Sequence, residues 1–320
     1  MGLPGRAYGP GVVGATPPPA AVAKEVRVNK KVLFLSSVLA FAPAWAQRTV
    51  QVVAAADLQY ALKEVAQAFE ARNPGIRVLL SFGSSGKFYT QLTQGLEADL
   101  YFSAERLYPE LLEKKGLAEA GTRRPYAIGR MVIWLDRKLG LEPSPEALKD
   151  PRITRLAIAN PVHAPYGRAA VTLLEHYGLL RRRADAPLPG LKKPFPNLSW
   201  EEIPWERLSQ GVEAYWDATP LRQGKPRFEF VYGENISHTA QLALSATQAG
   251  ILALSLAVHE SLSRPGVYWL APLGSHLALE QDYVILKGRK RPEVMAFYTF
   301  VGSPEARRIF QRYGFLLPGE

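Results

Sequence analysis

The chain has 320 residues, of which 47% are hydrophobic and 21% charged, an ordinary composition for a globular protein with room for two modest α/β domains. It contains no cysteine, which excludes disulfide bonds and thiolate metal sites. The net charge is +10, but the basic residues are scattered apart from two short runs, 181–183 and 289–291, and do not alternate with aromatic residues. We therefore expect no nucleic-acid partner.

Residues 1–46 have the features of an N-terminal extension followed by a signal peptide. Two lysines at 30–31 precede the apolar run 32–41, and alanines at 44 and 46 precede the expected cleavage point. The apolar run is too short to cross a bilayer as a helix. Cleavage there would leave Gln47 first, and no cysteine follows that could carry a lipid. We therefore expect a periplasmic protein without a lipid anchor.

Strands and helices alternate along the rest of the chain. Apolar and periodic runs predict a strand at 50–54, a helix at 58–72, a strand at 76–82, a helix at 87–95, a strand at 99–103, a helix at 106–115, a long apolar run at 126–135, a strand at 155–159, a helix ending at 177, a strand at 228–232, a helix at 237–247, strands at 250–254, 267–270 and 282–286, and helices at 292–301 and 303–313. Alternation with short connections is typical of parallel, doubly wound α/β sheets.

Four of these strands end in small or polar residues and lead almost directly into a helix. The junction residues are Asp57, the pair Ser84 and Ser85, Tyr166, and the pair Asn235 and Ile236. The first amides of a helix lack partners within it, and the helix dipole is positive at the same end. Such junctions lie at the carboxyl ends of strands, where α/β proteins bind ligands. The sequence therefore predicts helix N-termini from two lobes converging on one tetrahedral oxyanion.

Five stretches also follow each other in a familiar order: 53–58 (VAAADL), 81–85 (SFGSS), 98–104 (ADLYFSA), 160–167 (NPVHAPYG) and 303–315 (SPEA…IFQRYGF). With these stretches, the chain resembles the periplasmic molybdate-binding component of ABC transporters over residues 50–315. The resemblance implies the type II periplasmic binding-protein fold, which is two doubly wound α/β lobes with a ligand cleft between them. It also implies molybdate or tungstate as the ligand, an ABC permease as the partner, a monomer, no cofactor and no enzymatic activity.

Carried over by position, the resemblance implies an oxyanion shell made of the Ser85 hydroxyl and amide with the amides of Tyr166 and Ile236, completed by the residue at Asp57. Supporting positions are Ser84, Lys87 and Asn235.

Two positions depart from the family pattern. Asp57 stands where the family usually has a hydroxyl residue, and Ala253 stands where it has a donor tyrosine. A carboxylate beside a dianion is unfavourable unless it turns away, is protonated or is paired. We expect a pair with Lys87, in which case Asp57 caps its own helix and offers only main-chain amides, and the Tyr166 hydroxyl replaces the missing tyrosine. If Asp57 instead accepts from the ligand, a protonated oxyanion such as hydrogen phosphate becomes attractive.

The segment 181–227 is longer than the resemblance requires. It holds seven prolines, which argue against regular structure, and tryptophans at 200, 205 and 216, which argue against disorder. We predict an ordered excursion on the second lobe, with a short helix at about 205–214, that either packs on the lobe or contacts the permease. The lobes are expected at 47–125 with 278–320, and at 126–277.

Enzymatic and regulatory functions find less support in the sequence. Ser84 to Lys87 match the S-x-x-K motif of penicillin-binding enzymes, but the partner motifs are absent, and the spacing of a nucleotide P-loop is incomplete. A hydrolase using Ser84 or Ser85 would need a general base that the sequence does not place. The five histidines show no metal-ligand spacing, so no metal site is expected. The signal peptide argues against a transcription-factor effector domain, and a receptor for a small organic anion would need an apolar wall in the cleft.

Overall fold

In the computed structural model of the protein, residues 48–218 and 229–320 are described. The predicted signal peptide, and the first residue of the strand predicted at 228–232, lie outside these residues. Within the described part, no helix is long and apolar enough to cross a membrane.

The strands of the described part are β1 (Arg48–Ala55), β2 (Ile76–Gly83), β3 (Leu100–Phe102), β4 (Arg124–Ile128), β5 (Met131–Asp136), β6 (Arg155–Ala159), β7 (Leu180–Arg182), β8 (Trp216–Ala218), β9 (Glu229–Gly233), β10 (Ala249–Ala253), β11 (Gly266–Leu270) and β12 (Glu280–Ile285). The α-helices are α1 (Ala61–Arg72), α2 (Ser85–Thr93), α3 (Leu107–Lys114), α4 (Pro165–His176), α5 (Ile236–Ser245), α6 (Leu254–Ala257), α7 (Glu260–Ser263), α8 (Pro292–Val301) and α9 (Pro304–Arg312).

The first sheet has the strand order β2-β1-β3-β12-β4. β1 pairs in parallel with β2 from Arg48 opposite Ile76 to Ala55 opposite Gly83, and it also pairs in parallel with β3. β12 runs antiparallel to β3 and β4, so the chain returns to this sheet near its end. β1 and β2 therefore finish at the same edge, with their helices starting there.

Alternation along β1 explains why helices cover both faces of this sheet. Val50, Val52 and Ala54 belong to an apolar cluster with α1, α8 and α9. Val53 belongs to a different cluster with residues of α2 and α3. Successive side chains of a strand point to opposite faces, so a strand that is apolar at successive positions is buried on both sides.

The second sheet has the order β11-β5-β10-β6-β9. β10, β6 and β9 are parallel, whereas β5 runs antiparallel to both β10 and β11. The two-lobed α/β class predicted from the sequence is confirmed. Both sheets are mixed, because the strand that arrives from the other lobe, β5 or β12, enters its sheet antiparallel to the neighbouring strand.

Gly129 and Arg130 separate β4 in the first sheet from β5 in the second, so the apolar run 126–135 forms two strands rather than one. A Cβ on Gly129 would lie 2.5 Å from the Tyr166 hydroxyl and 2.6 Å from the Gln281 amide nitrogen, which explains the glycine here. The second crossing lies between β11 and β12. The lobe limits 47–125 with 278–320, and 126–277, remain predictions.

Residues 181–218 of the predicted excursion are ordered, and its residues 219–227 lie outside the described part. β7 pairs antiparallel with β8. Trp205 stacks on Trp216 at 5.9 Å between ring centroids, and both are buried in the apolar cluster of the second sheet. The predicted helix at 205–214 is wrong: it is two short 3-10 turns, Trp205–Arg207 and Val212–Ala214. Gly211, with φ of +85°, breaks the continuity between them.

Candidate functional site

Four strand ends meet around one small cavity between the two sheets. β1, β2, β6 and β9 lead into it, and its lining includes Asp57, Ser85, Tyr166 and Ile236 from the four junctions. The structure therefore brings together the residues that the sequence grouped as a candidate shell. The cavity volume is about 10 Å³, which is close to the room that one water molecule needs. Only a compact ligand suits such a space.

Main-chain amides from both sheets are available at this cavity. Ser85 and Ile236 are the first residues of α2 and α5, and Tyr166 is the second of α4. Within residues 48–218 and 229–320, no backbone acceptor receives a hydrogen bond from these three amides. Unpartnered N–H groups in the first turn of a helix provide a binding site for an anion.

The two serines at the start of α2 have different partners. The Ser85 hydroxyl accepts a hydrogen bond from the Ala104 amide at 3.0 Å, which leaves its own proton free to donate. The Ser84 hydroxyl donates to the His163 carbonyl of the other lobe and makes no helix cap. Asn235 is the N-cap predicted for α5, because its side chain accepts from the His238 amide at 2.9 Å.

Asp57 lies at the cavity and is completely buried. Its Oδ2 accepts from the Tyr166 hydroxyl at 3.0 Å and from the Gln281 side-chain amide at 2.6 Å. Its Oδ1 is buried without a hydrogen-bond partner in the described part of the chain. Burial raises the pKa of the Asp57 carboxyl to about 6, although hydrogen bonds from Gln281 and Tyr166 and the main-chain amides of Asp57 and Leu58 oppose the rise.

The predicted Asp57–Lys87 pair is wrong. Lys87 pairs with Glu234 at the exposed mouth of the cleft, where both side chains remain largely in water. No side-chain cap bond from Asp57 starts the nearby helices either, since the chain first makes a 3-10 turn at Ala56–Leu58. Asp57 is buried behind this turn, whereas Lys87 would have to leave water to reach it, and desolvating an ammonium group is costly.

The Tyr166 hydroxyl was expected to replace the donor tyrosine missing at Ala253. Its proton is instead directed at Asp57, and the buried Ala253 ends β10. Sequence reasoning also missed Gln281, which is fully buried and links the Tyr126 hydroxyl to Asp57. A glutamine and an aspartate at the start of an otherwise apolar strand are the signal that could have identified it.

Asp57 carries a cost that depends on pH. Below pH 3.8 its carboxyl is neutral in the folded and unfolded chain alike, and as the pH rises through about 6 the folded chain must bury a charge. The free energy of unfolding falls by about 1.36 kcal/mol for each pH unit between 3.8 and about 6. We therefore expect Asp57→Asn to stabilise the unliganded protein by up to about 3 kcal/mol at pH 8 and by little at pH 4. Thermal melts of both proteins from pH 4 to 8 would test this, and parallel curves would contradict it.

Several contacts hold the two lobes together around the cavity. The His163 carbonyl also accepts from the Gly86 amide at 2.9 Å, and the Ser255 hydroxyl donates to the Asp57 carbonyl at 2.7 Å. At the margin, Tyr60 stacks on His259 with 3.8 Å between ring centroids. The structure therefore has the cleft closed.

Arg168 is the most connected of these interlobe residues. It is 2% exposed and extends from α4 to Glu105 at 3.0 Å and to the Tyr108 hydroxyl at 2.7 Å. It also bonds Glu206 of the excursion at 3.1 Å and the carbonyls of residues 161 and 162. One buried cation thus joins the first lobe, the ligand loop and the excursion.

The histidine nearest the two serines does not contact their hydroxyls through its ring. Among the described residues, neither the Ser84 nor the Ser85 hydroxyl hydrogen-bonds a histidine side chain. The ring of His163 contacts the Glu234 carbonyl at 3.1 Å instead. Burial, helped by the charges of Lys87 and Arg168, lowers the pKa of His163 to about 4.

Two mixed α/β lobes, joined by crossing strands and with a cavity where their parallel strands end, define the periplasmic binding-protein architecture. The chain belongs to the family of bacterial extracellular solute-binding proteins, whose family model matches residues 50–316.

Relatives within this family are similar over most of their length. A molybdate-binding protein from Azotobacter vinelandii is 29% identical over 268 residues, covering 83% of this chain and 89% of the relative. One from Rhodobacter capsulatus is 27% identical, covering 86% and 90%. The solved periplasmic molybdate-binding protein of Azotobacter vinelandii matches with a TM-score of 0.63 and 25% identity, covering 84% of this chain and 99% of that one.

The fold extends to proteins named for other ligands. A sulfate-binding protein from Mycobacterium tuberculosis matches with a TM-score of 0.60 at 14% identity, covering 85% of this chain and 88% of that one. At that identity, the likeness concerns the fold alone.

Proposed function

We propose that this protein is an extracytoplasmic receptor that captures molybdate or tungstate between its lobes and delivers it to an ABC permease. It binds its ligand and catalyses no reaction. The similarity to the molybdate-binding proteins of Azotobacter vinelandii and Rhodobacter capsulatus supports this choice of oxyanion. In this proposal the protein is a monomer, and it contacts the permease while its cleft is closed.

The observation that carries the proposal is the set of donors around one compact cavity. The amides of Ser85, Tyr166 and Ile236 and the Ser85 hydroxyl come from both lobes, and none of them bears a formal charge. Hydrogen bonds to a charged acceptor are stronger than neutral ones, so a few fixed donors offset much of the cost of dehydrating a dianion. A cavity that fits the ion then selects by size.

Closure of the lobes couples capture to delivery. Each lobe supplies only some of the donors, so the ion is fully coordinated only when the lobes meet. Binding therefore favours the closed arrangement, which is the form that the permease recognises in this proposal.

A second oxyanion is favoured by one observation. The unpartnered Asp57 oxygen could accept a hydrogen bond from an oxyanion that carries a proton, such as hydrogen phosphate. A calorimetric or thermal-shift screen with molybdate, tungstate, sulfate, phosphate and arsenate separates the two candidates. We expect molybdate and tungstate to bind most tightly. A preference for phosphate would support the second candidate, and the absence of binding by every oxyanion would refute both.

Removing the Ser85 hydroxyl should weaken binding, and it also leaves the Ala104 amide without its acceptor. We expect Ser85→Ala to lower molybdate affinity by about 1–3 kcal/mol, which is the range for a hydrogen bond lost to a charged group. Ser245→Ala, at the exposed far end of α5, is the matched control and should bind as wild type. Titration calorimetry measures both variants, and an unchanged affinity for Ser85→Ala would remove its hydroxyl from the ligand shell.

A further inference from the structure

Asp57 is the one carboxyl group at the cavity among the residues described as lining it. A bare carboxylate there would repel a dianion at close range, because both would line or occupy the same small cavity. The contacts of Asp57 show how this conflict can be resolved. Oδ2 already accepts two hydrogen bonds, from the Tyr166 hydroxyl and the Gln281 side-chain amide, while Oδ1 has no partner within the described residues.

We propose that Asp57 is protonated when the cavity is loaded, so that Oδ1 donates a hydrogen bond to the bound oxyanion while Oδ2 keeps its two donors. The proton comes from solvent, and the receptor therefore takes up one proton with each ion. This inference rests on the proposed function and adds to it a dependence of affinity on pH. Asp57 then supplies the donor that the family takes from a hydroxyl residue at this position.

Among residues 48–218 and 229–320, no cationic side chain pairs with Asp57. Tyr166 from α4 and Gln281 from β12 contact the carboxyl, and Tyr126 from β4 lies behind Gln281. From α6, the Ser255 hydroxyl reaches only the main-chain carbonyl. Burial raises the pKa of Tyr126 and of Tyr166 well above the usual range, so both stay neutral. Charged groups near the mouth, Lys87 and Glu234, pair with each other.

The closed cleft favours protonation of Asp57 before any ion is present. In it, burial raises the pKa of Asp57 to about 6, and a bound anion raises it further. Above pH 6, loading therefore requires proton uptake, and the dissociation constant should rise by up to tenfold per pH unit while the loaded carboxyl stays protonated. Affinity should be greatest in mildly acidic solution.

The test is titration calorimetry of the purified protein with molybdate from pH 6 to 8.5, in two buffers with different heats of ionisation. The difference in heat between buffers gives the number of protons taken up. We expect close to one proton per molybdate at pH 7.5 for the wild type. Asp57→Asn keeps a donor but cannot exchange the proton, so it should show no uptake and a flat pH profile; Asp57→Ser should behave in the same way if the asparagine variant fails to fold.

Glu234→Gln is the matched control, because it removes an exposed carboxyl at the cleft mouth and should leave the proton count unchanged. Any pH effect of His163, His238 or His259 would persist in Asp57→Asn, so that variant distinguishes it from the effect of Asp57.

Molybdate binding without proton uptake, or equal uptake in wild type and Asp57→Asn, would overturn the inference and leave the proposed function standing. A preference for phosphate over molybdate would also overturn it, since Asp57 would then be an acceptor. Failure to bind any oxyanion would overturn both.

Discussion

Gly86→Ala is expected to weaken oxyanion binding by up to about a hundredfold. An added Cβ would lie 2.7 Å from the carbonyl oxygen and 3.0 Å from the Cα of His163, which belongs to the other lobe. Main chain cannot move aside as a flexible side chain can. The Tyr108 hydroxyl is nearer still, at 2.5 Å, and it belongs to a buried side chain of α3 that bonds Arg168. Overpacking of this kind costs about 1–3 kcal/mol, and the part caused by the His163 main chain falls on the closed arrangement.

At the upper end of that range, affinity falls by about a hundredfold. Gly302→Ala is the matched control, because its Cβ would have no neighbour nearer than 3.6 Å and it lies at the end of α8, away from the cleft. Calorimetry gives the affinity, and small-angle scattering with and without molybdate reports whether the variant still contracts. Wild-type affinity for Gly86→Ala would show that the lobes need not meet at His163.

Arg168→Met is expected to produce the largest loss of stability among these variants. The substitution keeps an unbranched side chain but leaves the nearly buried Glu105 without its cation, together with two unpaired main-chain carbonyls. Removing one partner of a buried ion pair costs about 3–5 kcal/mol. Urea unfolding at pH 7 would measure the change in the free energy of unfolding.

Two further variants test the cause of that loss. Glu206→Gln removes the exposed partner of Arg168 and should change stability by less than about 1 kcal/mol. Combining Arg168→Met with Glu105→Gln removes the stranded charge and should recover part of the loss. A change below about 1 kcal/mol for Arg168→Met alone would show that the cluster does not stabilise the interlobe contact.

The general architecture could be predicted from local patterns. Alternating apolar runs and helix starts identified the strands β1, β2, β6 and β9 and placed the junctions that follow them. Those junctions are short-range features, since a strand, a cap residue such as Asn235 and the next helix are neighbours in sequence. Their meeting point follows from the rule that parallel strands end at one edge of a sheet.

The environment of Asp57 could not be predicted in the same way. Its partners Tyr166 and Gln281 lie 109 and 224 residues away in the chain, and a pattern of neighbours carries no information about such contacts. The position of Lys87 in the first turn of the neighbouring helix favoured a pair with Asp57, but Lys87 remains at the surface and pairs with Glu234. The short helices α6 and α7, of four residues each, were missed because one helical turn has too little periodicity to detect.

The three unpartnered amides at the cavity have an evolutionary consequence. A nucleotide change that replaces a side chain leaves the peptide N–H in place, unless the new residue is proline. The main-chain donors at Ser85, Tyr166 and Ile236 are thus retained after almost any substitution. Related proteins can therefore diverge widely in sequence while keeping the same set of N–H groups around the cavity. Adaptation to a new ion must then act through the side chains at the cavity, chiefly the carboxyl at position 57 and the hydroxyl at position 85.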